Sequence, residues 1–256
     1  MRAMYWIVAL GFGLLTINAD PVINWPGLTP QSYPVSIPDP QPFTLQNTPT
    51  GGPFEMSRNW AGYVNSEGTY ESVQATWRVP TLVSDGSLAV WVGVGGAPQR
   101  SLLQAGTLTK KTAYGTKTIL WIEGLPQPLK PIARNLPVGA PVHIAIAHVK
   151  GSDWAINLQA GNYRQVFHVQ YHLEAKSAEW IVEDPLINNK FAHFPTFHAI
   201  ELFYAQAKKG TGQTVTVKQS MPIDLRIHGT VDAAPVIVSN TTFAVSWPAF
   251  TSKGPQ

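Results

Sequence analysis

From Asn59 to Trp247 the chain reads as one short apolar or alternating run after another, and none of its segments shows capped 3.6-residue periodicity. Strands are expected at Tyr70–Val79, Leu88–Val94, Ser101–Gly106, Thr118–Glu123, Val142–Val149, Trp154–Ala160 and Val166–Tyr171. They continue at Ala178–Glu183, Phe197–Gln206, Thr214–Lys218, Asp224–Ile227, Pro235–Val238 and Phe243–Trp247. Gly, Pro, Asn and Asp punctuate the gaps, where turns need them. Many short strands without helices call for an all-β fold, an antiparallel sandwich or barrel. No internal repeat of fixed period is present.

Two stretches precede this region. Arg2, the apolar run Ile7 to Leu15 and Ile17-Asn18-Ala19 have the layout of a secretory signal peptide over residues 1–19. The apolar run is too short for a spanning helix, so no membrane association is expected once the signal is removed. Residues 20–55 hold nine prolines and no Lys or Arg, the composition of an extended or disordered linker or pro-segment. Their acids give a charge of −3, against 17 − 12 = +5 for residues 56–256. Such a leader can dock on the domain and mask a site, or serve only as a tether.

Composition excludes several function classes. No cysteine is present, so disulfides and thiol catalysis are absent. The pI is about 9.1, but Lys and Arg are scattered, with no basic stripe for nucleic acid. Charged residues are only 13% of the chain, which suits a protein that meets low pH. His168 and His172, read on a strand, stand about 13 Å apart, too far to share an ion, and His193 and His198 fail similarly. No metal and no cofactor are expected. The G-x-S-x-G elbow, the H-E-x-x-H helix and the Asp-Thr-Gly or Asp-Ser-Gly loop of aspartic proteases are missing.

What remains is acid and amide in apolar company. Glu179 lies in Ala178-Glu179-Trp180-Ile181-Val182-Glu183-Asp184, Gln104 in Leu102-Leu103-Gln104-Ala105-Gly106, and Glu123 in Trp121-Ile122-Glu123. A buried carboxylate is costly unless paired or protonated, so such a group is either compensated or put to use. A buried amide must find partners, and a purely structural bond meets that need as well as a catalytic one. Glu can take a proton from water and return it; a Gln amide can donate to an oxyanion; Trp rings exclude water. The glycine-rich end of Trp91-Val92-Gly93-Val94-Gly95-Gly96 suits a tight turn or a close backbone approach by a ligand.

These segments, with Asn59-Trp60-Ala61-Gly62-Tyr63-Val64, Ala75-Thr76-Trp77-Arg78-Val79-Pro80 and Phe243-Ala244-Val245-Ser246-Trp247, resemble the eqolisins, the glutamic peptidase family, in the family's order. The resemblance implies a β-sandwich of two large antiparallel sheets, concanavalin- or jelly-roll-like. It also implies secretion with a removable pro-segment, polypeptide substrates and endopeptidase activity at acid pH, in a chain expected to be a monomer. Carried over by motif, the catalytic Gln and Glu fall on Gln104 and Glu179, and Trp91 lines the cleft. Trp121 and Glu123 come from the Trp-Tyr-Glu motif and stand by the substrate. Fungal members carry Asp where this chain has Gly95, and they carry disulfides and the opposite charge balance. Two other readings fit the residues alone: a carbohydrate-binding or glycoside-cleaving sandwich using Glu123 and Glu179, and an inactive binding module.

Overall fold

The computed structural model describes residues 55–97, 101–187, 190–228 and 230–247, with two-residue strands at Ala9–Leu10 and Pro30–Gln31. The remainder of residues 1–54, where a signal peptide and a proline-rich leader are expected, lies outside the described residues. Pro30–Gln31 pairs with Phe167 and Val166, so that dipeptide joins a ladder where none was expected.

Among the described residues the protein is all-β, with a 3-10 turn at Val217–Gln219 and no α-helix. One run of antiparallel neighbours is ordered in space Lys130–Arg134, Gly115–Gly124, Leu102–Thr112, Gly86–Gly95, Ala178–Glu183, Trp60–Asn65, Met221–Ile227 and Thr230–Ser239. A second run is ordered Tyr163–Gln170, Asp153–Ala160, Pro141–Lys150, Tyr70–Arg78 and Ile200–Lys209. Thr242–Ser246 pairs with both Thr230–Ser239 and Ile200–Lys209, so the whole is one large, nearly closed antiparallel sheet.

The two runs share one core. Val73, Ala75, Trp77, Ile144 and Ile156 from the second cluster with Val90, Val92, Leu103, Ala105, Ile122 and Trp180 from the first. Burying each large side chain contributes about 1.5–3 kcal/mol. The indole N–H groups of Trp77 and Trp180 donate across the join, to Thr107 Oγ1 at 3.1 Å and to the Gln74 carbonyl at 2.8 Å. Buried indoles need such partners, and these fix how the runs face one another.

Each expected strand has a counterpart, Ala178–Glu183 with the same ends and the others with shifted ones. The strand read as Thr214–Lys218 stops at Thr216, because the Thr216 N–H donates to Gln219 Oε1 at 3.0 Å and the chain turns. The strand read from Phe197 begins at Ile200 and runs on to Lys209. Lys130–Arg134 was not expected, since Pro131 cannot donate to a ladder; it lies at the end of its run, pairing with Gly115–Gly124.

Candidate active site

Directly paired residues on neighbouring strands point to the same face, and the register therefore states which side chains meet. Glu179 pairs with Val64 on one side and Gly93 on the other; Gly93 pairs with Gln104, and Gln104 with Glu123. The row Val64–Glu179–Gly93–Gln104–Glu123 thus crosses five strands on one face. Beside it runs Gly62–Ile181–Trp91–Gly106–Trp121, and beyond that Trp60–Glu183–Ala89–Leu108–Ile119. Trp91, Gln104, Trp121, Glu123 and Glu179 all lie on this face, opposite the shared core. The face has its own apolar cluster, which includes Trp60, Trp91, Leu102, Trp121 and Ile181, with Leu125 and Leu129 packed against it.

Gly93 separates the acid from the amide. A Cβ at that position would stand 2.8 Å from Leu102 Cδ1, 2.9 Å from Trp91 Cζ3 and 3.3 Å from Glu179 Oε2. With no side chain there, Glu179 and Gln104 face each other across one intervening strand, about 10 Å apart at Cα by ordinary strand spacing.

Glu179 and Gln104 are both fully buried. Neither oxygen of Glu179 has a hydrogen-bond partner among the described residues, and Gln104 Oε1 has none. Burial holds the Glu179 carboxyl well above the usual range; the nearby Ser177 hydroxyl and Ala97 N–H, short of bonding geometry, pull it part of the way back. Ser177 Oγ instead accepts from the Ala97 N–H at 3.1 Å. Gln104 Nε2 donates to Glu123 Oε2 at 2.5 Å. Burial first, then the charge of Glu183, raises Glu123 to about 8, opposed by the Gln104 bond. Glu123 is thus neutral over the acid range and still accepts from the amide through an oxygen lone pair.

Trp91 reaches towards Glu183, its Nε1–H donating to Oε2 at 2.6 Å, while Asn59 Nδ2 donates to Oε1 at 3.0 Å. Trp60 meets Trp91 edge-on, with centroids 5.0 Å apart. Motif reading gave no role to Glu183 or Asn59, and read the glycines after Trp91 as a turn or a close backbone approach by a ligand. Glu183 was within reach of that reading, because residues i and i+4 of a strand share a face. Among the described residues no group of three or more His, Cys, Asp or Glu could hold a metal ion.

The sequence model of the Peptidase A4 family matches residues 58–247, well over half the chain. The chain belongs to the peptidase A4 family. As a member of this family, the eqolisins, it is a glutamic endopeptidase by class. Among solved structures it is similar to scytalido-glutamic peptidase with a transition state analog inhibitor, at 20% identity and TM-score 0.66, over 74% of this chain and 98% of that one. It is also similar to SCP-B, an eqolisin in complex with the tripeptide Ala-Ile-His, at 20% identity and TM-score 0.59, over the same shares of 74% and 98%. Aspergilloglutamic peptidase from Aspergillus niger is 22% identical, with TM-score 0.57, over 63% of this chain and 98% of that one. No curated protein matches the sequence.

Within the eqolisin frame, Gly95 has a local explanation. Its φ is +85°, and a Cβ would lie 2.4 Å from the Ser101 carbonyl oxygen and 2.6 Å from Leu173 Cδ1. An aspartate at that position would clash with backbone, so this peptidase orients its site without one.

Proposed function

We propose that the chain is an exported endopeptidase that cleaves unfolded polypeptides on the acid side of neutrality, with Glu179 and Gln104 as its catalytic pair. The row itself carries the reading: an unpartnered acid and an amide, both fully buried, face each other across a residue with no side chain. Trp91 Cζ3 and Leu102 Cδ1 cover Gly93 closely, so a water molecule and the substrate carbonyl enter between the acid and the amide by displacing these side-chain tips.

Ionised Glu179 polarises the water, which attacks the peptide carbonyl carbon; Glu179 takes the proton and later gives it to the leaving amine. The Gln104 amide has two hydrogens. Glu123 accepts one, which orients the amide, and the other is left for the oxyanion. Because burial favours the protonated form of Glu179, kcat/KM climbs with pH until that group ionises, above the ordinary Glu range. It falls again as Glu123 ionises near its value of about 8, placing a second negative charge beside the oxyanion. Trp91 and Trp121 form the apolar floor beneath an extended substrate. The structures of relatives with a transition state analog and with a tripeptide support the use of this fold for holding peptides.

The row argues against sugar cleavage. Gln104 lies between Glu123 and Glu179, which puts the two acids about 14 Å apart at Cα, and Glu123 is engaged by Gln104. Carboxyl pairs of glycosidases stand about 5 to 9.5 Å apart. We further read the two facing runs of strands as the sheets of a sandwich, residues 1–55 as signal and removable leader, and the domain as a monomer. The shared core supports the first of these readings and the layout from Arg2 to Ala19 the second.

The test is digestion of unfolded casein across a pH series by the wild type, Glu179→Gln and Gln104→Ala. Both variants should fold and fail to cleave, and pepstatin should not inhibit the wild type, which has no aspartic-protease loop. Near-wild-type cleavage by either variant ends the reading.

A further inference from the structure

Glu183 takes no part in the reaction above, yet it is buried on the same face, four residues along the strand from Glu179. It ends a chain of hydrogen bonds. The Ser57 hydroxyl donates to Asn59 Oδ1 at 3.1 Å, and its oxygen accepts from the Trp60 N–H at 3.0 Å. Asn59 then donates to one oxygen of Glu183 and the Trp91 indole to the other, at 3.0 and 2.6 Å. The far edge of the same indole covers Gly93, between Glu179 and Gln104. Trp91 Cζ3 and Glu179 Oε2 lie 2.9 and 3.3 Å from a single point, the place a Gly93 Cβ would occupy. Trp60, edge-on to Trp91, closes the other side of the ring.

We infer that Glu183 is a positioning residue: it anchors the Trp91 indole over Gly93 and so fixes where the ring edge stands between Glu179 and Gln104. This rests on the catalytic reading of that pair. An indole held at one end by a hydrogen bond to a carboxyl oxygen, charged or neutral, and on its flank by another ring keeps a single rotamer. A ring free to swing would no longer hold its edge in one place beside the carbonyl and water, and misplacement on the order of 1 Å costs up to about 100-fold in rate.

The anchor titrates. Burial raises Glu183 to about 7, while the Trp91, Trp60 and Asn59 donors lower it. The acids that face it are Glu123, on the Gly115–Gly124 strand, and Asp184, next along the chain; the charge of Glu183 raises both, and Asp232 adds to Asp184. When Glu183 takes up a proton, one of its oxygens becomes a hydroxyl, and the indole N–H loses its anionic acceptor.

The test is the indole N–H resonance of Trp91 in a 15N-labelled sample, assigned by its disappearance in Trp91→Phe. In the wild type it should shift with a midpoint near 7. In Glu183→Gln, whose amide oxygen still accepts from the indole, the shift should vanish and kcat/KM at about pH 5 should stay within roughly threefold. Glu183→Leu should lower kcat by roughly tenfold or more with KM little changed, and should add nothing on top of Trp91→Phe. The inference is overturned by a resonance that stays flat from about pH 5 to 9, by a titration that survives Glu183→Gln, or by a folded Glu183→Leu with full kcat. An inactive wild type would sink the peptidase reading alone, because the resonance reports the anchor without any substrate.

Discussion

The two faces of the same five strands differ by one residue of phase. On the inner face the cross-strand line Tyr63–Trp180–Val92–Ala105–Ile122 is buried and apolar almost throughout, and the Trp180 N–H finds its acceptor in the other run of strands. On the outer face the adjacent line Val64–Glu179–Gly93–Gln104–Glu123 is just as buried but holds two acids, an amide and a glycine. Exposure cannot tell these faces apart. What separates them is polar atoms left without partners, a state that stability does not favour and chemistry can use.

Substitutions on the two faces should therefore fail in opposite ways. Glu179→Gln should lower kcat/KM by roughly 1,000-fold or more and leave the thermal midpoint undiminished, whereas Ile122→Ala should lose about 2–5 kcal/mol of stability and keep its rate per folded molecule. Casein digestion and thermal unfolding on the same samples decide this; a Glu179→Gln protein that melts early would make the outer face a second core. Gln104→Ala should cost roughly 100- to 1,000-fold in kcat.

The buried acids can be probed by pH. Glu183 sits at about 7, and Glu123 and Asp184 at about 8, all above their unfolded values. Between those limits the folded state binds more protons, so their stabilisation is complete below about pH 4 and is lost as pH rises towards 8. Each such carboxyl changes stability by about 1.4 kcal/mol per pH unit within its window. The thermal midpoint should fall by at least about 10 °C between about pH 4 and 8; a midpoint that rises over this range contradicts the buried acids. Smallest in effect, Glu123→Gln should change kcat/KM less than about tenfold at pH 5 while moving the alkaline limb of the rate profile upward. An unmoved limb would assign that ionisation elsewhere.

The strands were legible because alternation is local. Ala178–Glu183 was read with the bounds it has, and Glu179, Gln104 and Glu123 were picked out as polar residues in apolar runs. Their place in one row was not legible, since the pairing of Glu179 with Gly93 and of Gly93 with Gln104 is set by contacts between distant parts of the chain. Gly93, read with its neighbours as a turn or a close approach by a ligand, lies inside a strand with Trp91 and Leu102 packed over it. Lys130–Arg134 was missed because Pro131 signals a break, a signal that fails on an edge strand. The 3-10 turn at Val217–Gln219 was hidden by β-branched residues whose preference a side-chain bond from Gln219 overrides.

The phase relation also acts as a proofreader. If Ala178–Glu183 slipped by one position against its neighbours, Glu179, Ile181 and Glu183 would turn into the core, and Trp180 would be thrust out of it. Two carboxyl groups among Val92, Ala105 and Ile122 would cost far more than a nascent chain could recover. Misthreaded molecules are thus driven back to the unfolded pool, and those that persist already carry acid and amide in line.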